Sequence, residues 1–249
     1  MSGHSKWSTI KHKKARLDAK RGKNWSKLAR NVTLAAKTGG ANMMDNPRLR
    51  LAVDKAKADN MPKDTIEKAI KKGTGDLEGA NYEEVLYEGY AAHGVALMAA
   101  AVTDNRNRTG GEMRKLFERG GGNLGSSNCV AWMFTQKGVF AINADGVSEE
   151  RIMEIALDNG ADDVTSSVHV HEVTCEPEAF EGLKTALESA GIELQAADIT
   201  NIAGDSIVLD LDGARKVLRL VEALEDHDDV ESVSSNFDIP DDVVAELSK

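Results

Sequence analysis

Cysteine is nearly missing from this chain. Only Cys129 and Cys175 occur in 249 residues, far apart and outside any CxxC spacing. That excludes a disulfide framework and predicts two buried, reduced thiols. Long apolar runs are missing too: the longest, Val95 to Val102 (VALMAAAV), is far short of the roughly 20 residues a membrane-spanning helix needs. No membrane partner is therefore expected. The first residues are polar and basic, without an apolar stretch of the secretory kind, so neither a signal nor a transit peptide is expected and the predicted location is cytoplasmic.

Positive charge is scarce over most of the length. Beyond Gly75 the chain has 12 Lys and Arg against 35 Asp and Glu, a net of −23, whereas residues 1–75 hold 19 against 6, a net of +13. The formal total of −10 conceals an electrical dipole. A solvated surface would mix the signs, so segregation over a whole candidate domain points to a polyanion partner.

The usual signs of catalysis are also lacking. GTGDLEG (73–79) follows a helical pattern and has no GK[ST], so it is no phosphate loop, and GGGNLGSS (120–127) runs from helix to strand, the reverse of a dinucleotide site. His169, His171 and Cys175 in HVHEVTC share strand parity, but no fourth metal ligand accompanies them. Asp226, Asp228 and Asp229 in EDHDDV read as a surface turn after a helix. No acid/base pair or nucleophile stands out, and the expectation is a non-enzyme with no cofactor, no metal and no small-molecule substrate.

What is present is an ordered series of elements. Residues 1–24 lack a clean apolar period and read as a basic arm. NWSKLARNVTLAAKTGG places Trp25, Leu28, Val32 and Ala35 or Ala36 at helical spacing, with Gly39 as its stop. Asn46 caps a second helix that begins at Pro47 and buries Leu49, Val53 and Ala56. A third starts near Pro62, buries Ile66, Ala69 and Ile70, and stops at Gly73. After an acidic, Gly-rich linker, strands are expected at 95–103 and 129–135 around a helix from Arg108 to Gly120. Residues 137–203 then read as βαββαβ, followed by a strand at 207–211, a helix at 213–225 and a strand at 230–237. The predicted fold is α+β. A basic helical nucleic-acid-binding domain (1–75) precedes a discontinuous α/β domain (80–136 plus 204–249), into which a ferredoxin-like α/β sandwich (137–203) is inserted.

Two sets of residues suit phosphate. The first comprises Lys6, Lys11, His12, Lys13, Lys14, Arg16, Lys20, Arg21, Lys23, Lys27, Arg30, Arg48, Arg50, Lys55 and Lys57, with Trp7 outside any helical stripe and available for base stacking. The second is TDNRNRTG (103–110), where Asn105, Arg106, Asn107 and Arg108 could form a second contact, with Asn107 or Thr109 as helix cap.

GHSKW with IKHKK, NPRLRLA followed by KAKADNMPKD and IEKAIKKG, then YEGY, TDNRNRT, GGNLG and VAWMF run in order from Gly3 to about Phe134, and LEDHDDVESVSSNFDIPDD follows near the C-terminus. This series resembles the YebC/PmpR family of bacterial cytoplasmic regulators, whose mitochondrial relatives are translational activators. The resemblance implies an N-terminal helical domain and two α/β domains around a cleft, with no catalytic residues. It also implies either DNA-binding transcriptional regulation or ribosome-associated relief of stalling. The chain departs from the family at Ala91, Ala92 and His93, where a Gly/Pro-rich turn is usual, and at Gly110 and Gly111, where Val-Ala is commoner and a looser helix is expected. The favoured partner is rRNA or tRNA in the ribosome, bound by a monomer. Duplex DNA is the alternative, and a hydrolase using the inter-domain cleft is a remote one.

Overall fold

The computed structural model describes residues 21–167 and 170–247. Three helices come first: α1 (Arg21–Gly39), α2 (Pro47–Ala58) and α3 (Lys63–Thr74). They enclose Val32, Ala35, Leu49, Val53, Ile66 and Ala69, with Trp25 and Leu28 packed at the margin. Each large aliphatic side chain removed from water here contributes roughly 1.5–3 kcal/mol. Asn46 caps α2 as expected, its Oδ1 accepting from Leu49 N at 3.0 Å. The stops differ from expectation by one or two residues. Gly73 lies inside α3, where a Cβ would sit 2.2 Å from the Thr33 carbonyl of α1 so that only glycine fits, and the left-handed turn falls on Gly75 (φ 85°).

Next come β1 (Glu83–Tyr90), β2 (Ala96–Thr103), α4 (Arg106–Arg119) and the short β3 (Asn123–Leu124). The chain then forms a second sheet from β4 (Phe134–Asn143), β5 (Ala161–Ser166), β6 (Val170–Cys175) and β7 (Leu194–Ala203), with α5 (Glu149–Asp158) and α6 (Phe180–Ser189) interleaved. It returns through β8 (Ile207–Val208), α7 (Leu211–Glu225), β9 (Val230–Ser235), β10 (Phe237–Asp238) and α8 (Asp241–Leu247). The first sheet has the order β3-β1-β2-β9 and packs α4 and α7 over Leu97, Met113, Phe117, Val217, Leu220 and Leu224. The second has the antiparallel order β5-β6-β4-β7, which is the ferredoxin-like arrangement, around Phe140, Ile142, Ile152, Phe180, Leu183 and Leu187. The fold is α+β.

Several expected strands are placed differently. β1 occupies residues that read as linker and loop, and pairs antiparallel with β2 from Glu83↔Thr103 to Tyr90↔Ala96. Its period is obscured by the buried Glu88 and by Gly89, whose Cβ would lie 2.3 Å from the Asn123 carbonyl. The strand expected at 129–135 is instead a 3-10 turn, Ala131–Met133, leading into β4. β8 is only two residues long and pairs in parallel with β10, apart from the main sheet, where β9 alone joins β2. Cys175 is buried, but Cys129 is partly exposed.

Candidate nucleic-acid interface

Of the first set of basic residues, Lys6, Trp7, Lys11, His12, Lys13, Lys14, Arg16 and Lys20 lie outside the described residues, as do the side chains of Arg21 and Lys23. Several of the others bind within the chain. α1 sets Lys27, Arg30 and Asn31 at helical spacing, so all three face the end of α7 and the start of β9. Lys27 Nζ donates to the Glu225 carbonyl at 2.6 Å, Arg30 Nη2 to the Asp228 carbonyl at 2.5 Å, and the Asn31 amide to the Glu231 carboxylate. On α2, Lys55 meets Asp198 of β7 at 2.6 Å and Arg48 meets Glu84 of β1. Lys57 is an exposed partner of Asp54 at 3.4 Å, and Arg50 binds the Met43 and Met44 carbonyls. Positive charge that reads in the sequence as a phosphate face is thus partly spent on holding the basic helices to the acidic remainder. On α3, by contrast, Lys68, Lys71 and Lys72 are exposed and pair with no carboxylate among the described residues.

Asp229 is the centre of this docking face. It is 5% exposed; its Oδ1 accepts from Arg30 at 2.5 Å and its Oδ2 from Arg108 and from the Thr109 hydroxyl, both at 2.7 Å. Burial alone would raise its pKa, but these donors prevail and hold the carboxyl at about 2. Glu231 shows the opposite balance: burial pushes its carboxyl up to about 7 despite the Asn31 amide, Lys27 and Arg30. Burial likewise lowers the Lys27 ammonium below the usual lysine range, against the pull of Glu231.

Around Asp229 lies an open cleft of about 550 Å³, lined also by Tyr82, Asp104 and Glu112. His227 accepts from Asp229 N through Nδ1 at 3.1 Å, so its Nε2 is the donor to Glu112 at 2.8 Å. Glu112, His227 and Asp229 are near enough together to suggest a metal site. Their ligand atoms, however, already have partners: Glu112 and His227 Nε2 hold each other, His227 Nδ1 takes a backbone amide, and Asp229 takes two arginines and a hydroxyl. His171 is occupied too, by Ser166 Oγ at 2.7 Å and the Val147 carbonyl at 3.1 Å, while His169 lies outside the described residues.

The second set divides across α4. Asn105, rather than Asn107 or Thr109, is the cap, its Oδ1 accepting from Arg108 N at 3.1 Å. Arg108 turns to Asp229 and Asp104, whereas Arg106 and Asn107 face a different groove against β1. The helix is continuous through Gly110 and Gly111. Sequence reasoning missed Asp229, and its only signal was an acidic cluster that resembles any polar turn.

Fold and site together define an α+β protein in which a basic three-helix unit is latched by ion pairs onto two acidic sandwiches. Residues 5–76 match the model of the TACO1/YebC protein N-terminal domain, and residues 82–237 that of the TACO1/YebC second and third domain. The chain belongs to the TACO1/YebC family. It is 53% identical to a probable transcriptional regulatory protein of Geobacter sulfurreducens over 96% of each chain, and 48% identical to one of Elusimicrobium minutum over the whole of both. The crystal structure of a conserved hypothetical protein from Aquifex aeolicus superposes with a TM-score of 0.82 at 47% identity, covering 91% of this chain and 94% of that one.

Proposed function

We propose that this protein is a non-enzymatic, nucleic-acid-binding regulator that acts as a monomer on ribosomal RNA or tRNA, as a cytoplasmic translation factor relieving stalls. The observation that carries the reading is the charge division, +13 in residues 1–75 against −23 beyond them. A phosphate backbone attracts the first part and repels the second, so the same charges that give affinity also orient the molecule. The free cations on α3 are lysines. These suit phosphate, whereas base reading in a duplex favours Arg, Asn and Gln on the inserted helix.

A second reading has one observation in its favour: α2 and α3 are joined by the tight turn 59–62, as in a helix-turn-helix. The relatives named probable transcriptional regulatory proteins agree with it. Co-sedimentation with ribosomes across a salt titration, with excess duplex DNA present, separates the two. Salt-sensitive ribosome binding that survives the competitor is expected. Loss of binding to the competitor, with retention on particular duplexes, would establish the DNA reading instead.

A further inference from the structure

α4 separates two clefts of nearly equal size and opposite electrostatic condition. In the first, Arg108 and Arg30 are paired with Asp229 and Asp104. The second, about 540 Å³, lies between α4, β1 and the loop 125–127. Its cations are Arg106 and Arg114, both exposed and paired with no carboxylate among the described residues. They stand two helical turns apart on one face, about 12 Å along the axis at 1.5 Å per residue.

Glu88 is the one carboxylate in the lining, and it is buried and turned to the loop. It accepts from Asn128 N at 2.7 Å, Val130 N at 2.9 Å and Ala131 N at 2.7 Å, and so fixes the opposite wall. Ser126 and Ser127 bring hydroxyls to that wall, and Asn107 an amide to the helical one. The α4 amides at Arg108 and Thr109 are already bonded to Asn105, so recognition falls to side chains.

Beyond the loop, outside the groove lining and on the face of β1 that carries Glu88, stand two aromatic side chains. Cys129 N donates to the Ser126 carbonyl at 3.2 Å, turning the loop back beside the groove. The Tyr90 hydroxyl and the Trp132 indole N–H both donate to the Cys129 carbonyl at 3.2 Å, which brings the polar ends of the two side chains to one point. Trp132 is 75% exposed. A large exposed ring across the loop from a groove with two unpaired guanidinium groups matches what a single strand running over the loop presents: phosphates at intervals and unstacked bases. Between the walls, α4 exposes Gly111, where a Cβ would have nothing within 4 Å, and Gly110, where it would meet only the Tyr87 ring in ordinary contact. Both leave the helix surface open to a close-lying backbone.

From this geometry we infer that the α4–β1 groove, with Arg106 and Arg114 for phosphates, continues over the loop to Tyr90 and Trp132 as a second nucleic-acid site that takes a single-stranded polynucleotide. The inference rests on the nucleic-acid reading and adds to it a site on the acidic part, built from different elements than the lysines of α3.

The test is binding of a fluorescent octauridylate to the full chain over a salt series, beside Arg106→Ala/Arg114→Ala, Trp132→Ala, Trp132→Phe and Lys68→Ala/Lys71→Ala/Lys72→Ala variants. The double arginine variant is expected to bind at least tenfold more weakly, with a salt slope smaller by about 1.4, or 0.7 for each single-strand phosphate no longer neutralised. Trp132→Ala should lose about tenfold and Trp132→Phe much less. The same experiment with octathymidylate distinguishes RNA from DNA as the source of the strand, and weaker binding of the DNA supports RNA. Because the altered side chains are exposed, unfolding temperatures serve as a check that each variant is folded. Wild-type affinity in the folded arginine and Trp132→Ala variants overturns this site while leaving the α3 lysines and the broader reading intact. Displacement of the oligonucleotide by a polyglutamate peptide at equal charge overturns it in favour of an acidic peptide. Failure of the wild type to bind any polynucleotide, ribosomes included, removes the broader reading and this site together.

Discussion

Asp229 and Glu231 are two residues apart on one docking face, and their opposite pKa shifts give the face a defined pH response. Asp229, at about 2 against an ordinary 3.8, contributes stability that is complete above about pH 4 and lost as the pH falls towards 2. Glu231, at about 7 against 4.5, contributes fully below pH 4.5 and loses that contribution as the pH rises through 7. Docking of α1 is therefore expected to be tightest near pH 4–5 and weaker by pH 8. Amide exchange of α1 should show the decline in the wild type and a flatter profile in Glu231→Gln; identical profiles would contradict it. Asp229→Asn is expected to cost about 2–4 kcal/mol in denaturant unfolding, somewhat below a fully buried pair because Arg108 remains half in water. A loss under about 0.5 kcal/mol, the level of an ordinary surface substitution, would show that the hub is not structural. None of this was legible in EDHDDV, because a buried acid and a solvated one have the same letters. Only the partners on α1 and α4, about 200 and 120 residues away, make the difference.

At the scale of elements, helices were the most legible. The stripes of α1, α2 and α3 and the cap at Asn46 follow from local spacing and local chemistry, which the chain carries with it. The ferredoxin-like order of 137–203 followed from alternating periods in the same way. What was not legible depended on distant contacts: β1, masked by a buried Glu88 that the loop satisfies, and β8, drawn out of the sheet by its pairing with β10. Glycine positions can be tested directly. Gly73→Ala forces a methyl group onto the Thr33 carbonyl and should destabilise by about 1–3 kcal/mol, as overpacking does. Gly111→Ala, in a helix and facing open space, should stabilise by about 0.5–1 kcal/mol. Chemical denaturation checks both, and equal effects of one sign would contradict the packing described.

At the scale of the whole molecule, charge segregation serves two purposes. Lys27, Arg30, Arg48 and Lys55 latch the helical unit onto its acidic neighbours, and the α3 lysines are left facing outward. The sequence displayed the segregation without saying which cations are spent internally, since that division depends on which helix faces meet the sandwiches. The most direct test of the central claim, that residues 1–75 meet a polyanion, is the salt dependence of binding to ribosomal RNA. The comparison is between the wild type and a variant with Lys11, Lys13, Lys14, Lys68, Lys71 and Lys72 all changed to Ala. Weaker binding to every RNA sequence alike is expected, with a slope of log affinity against log salt reduced by about 0.7–0.9 for each phosphate that the variant no longer neutralises. Unchanged affinity and slope in a folded variant would contradict it.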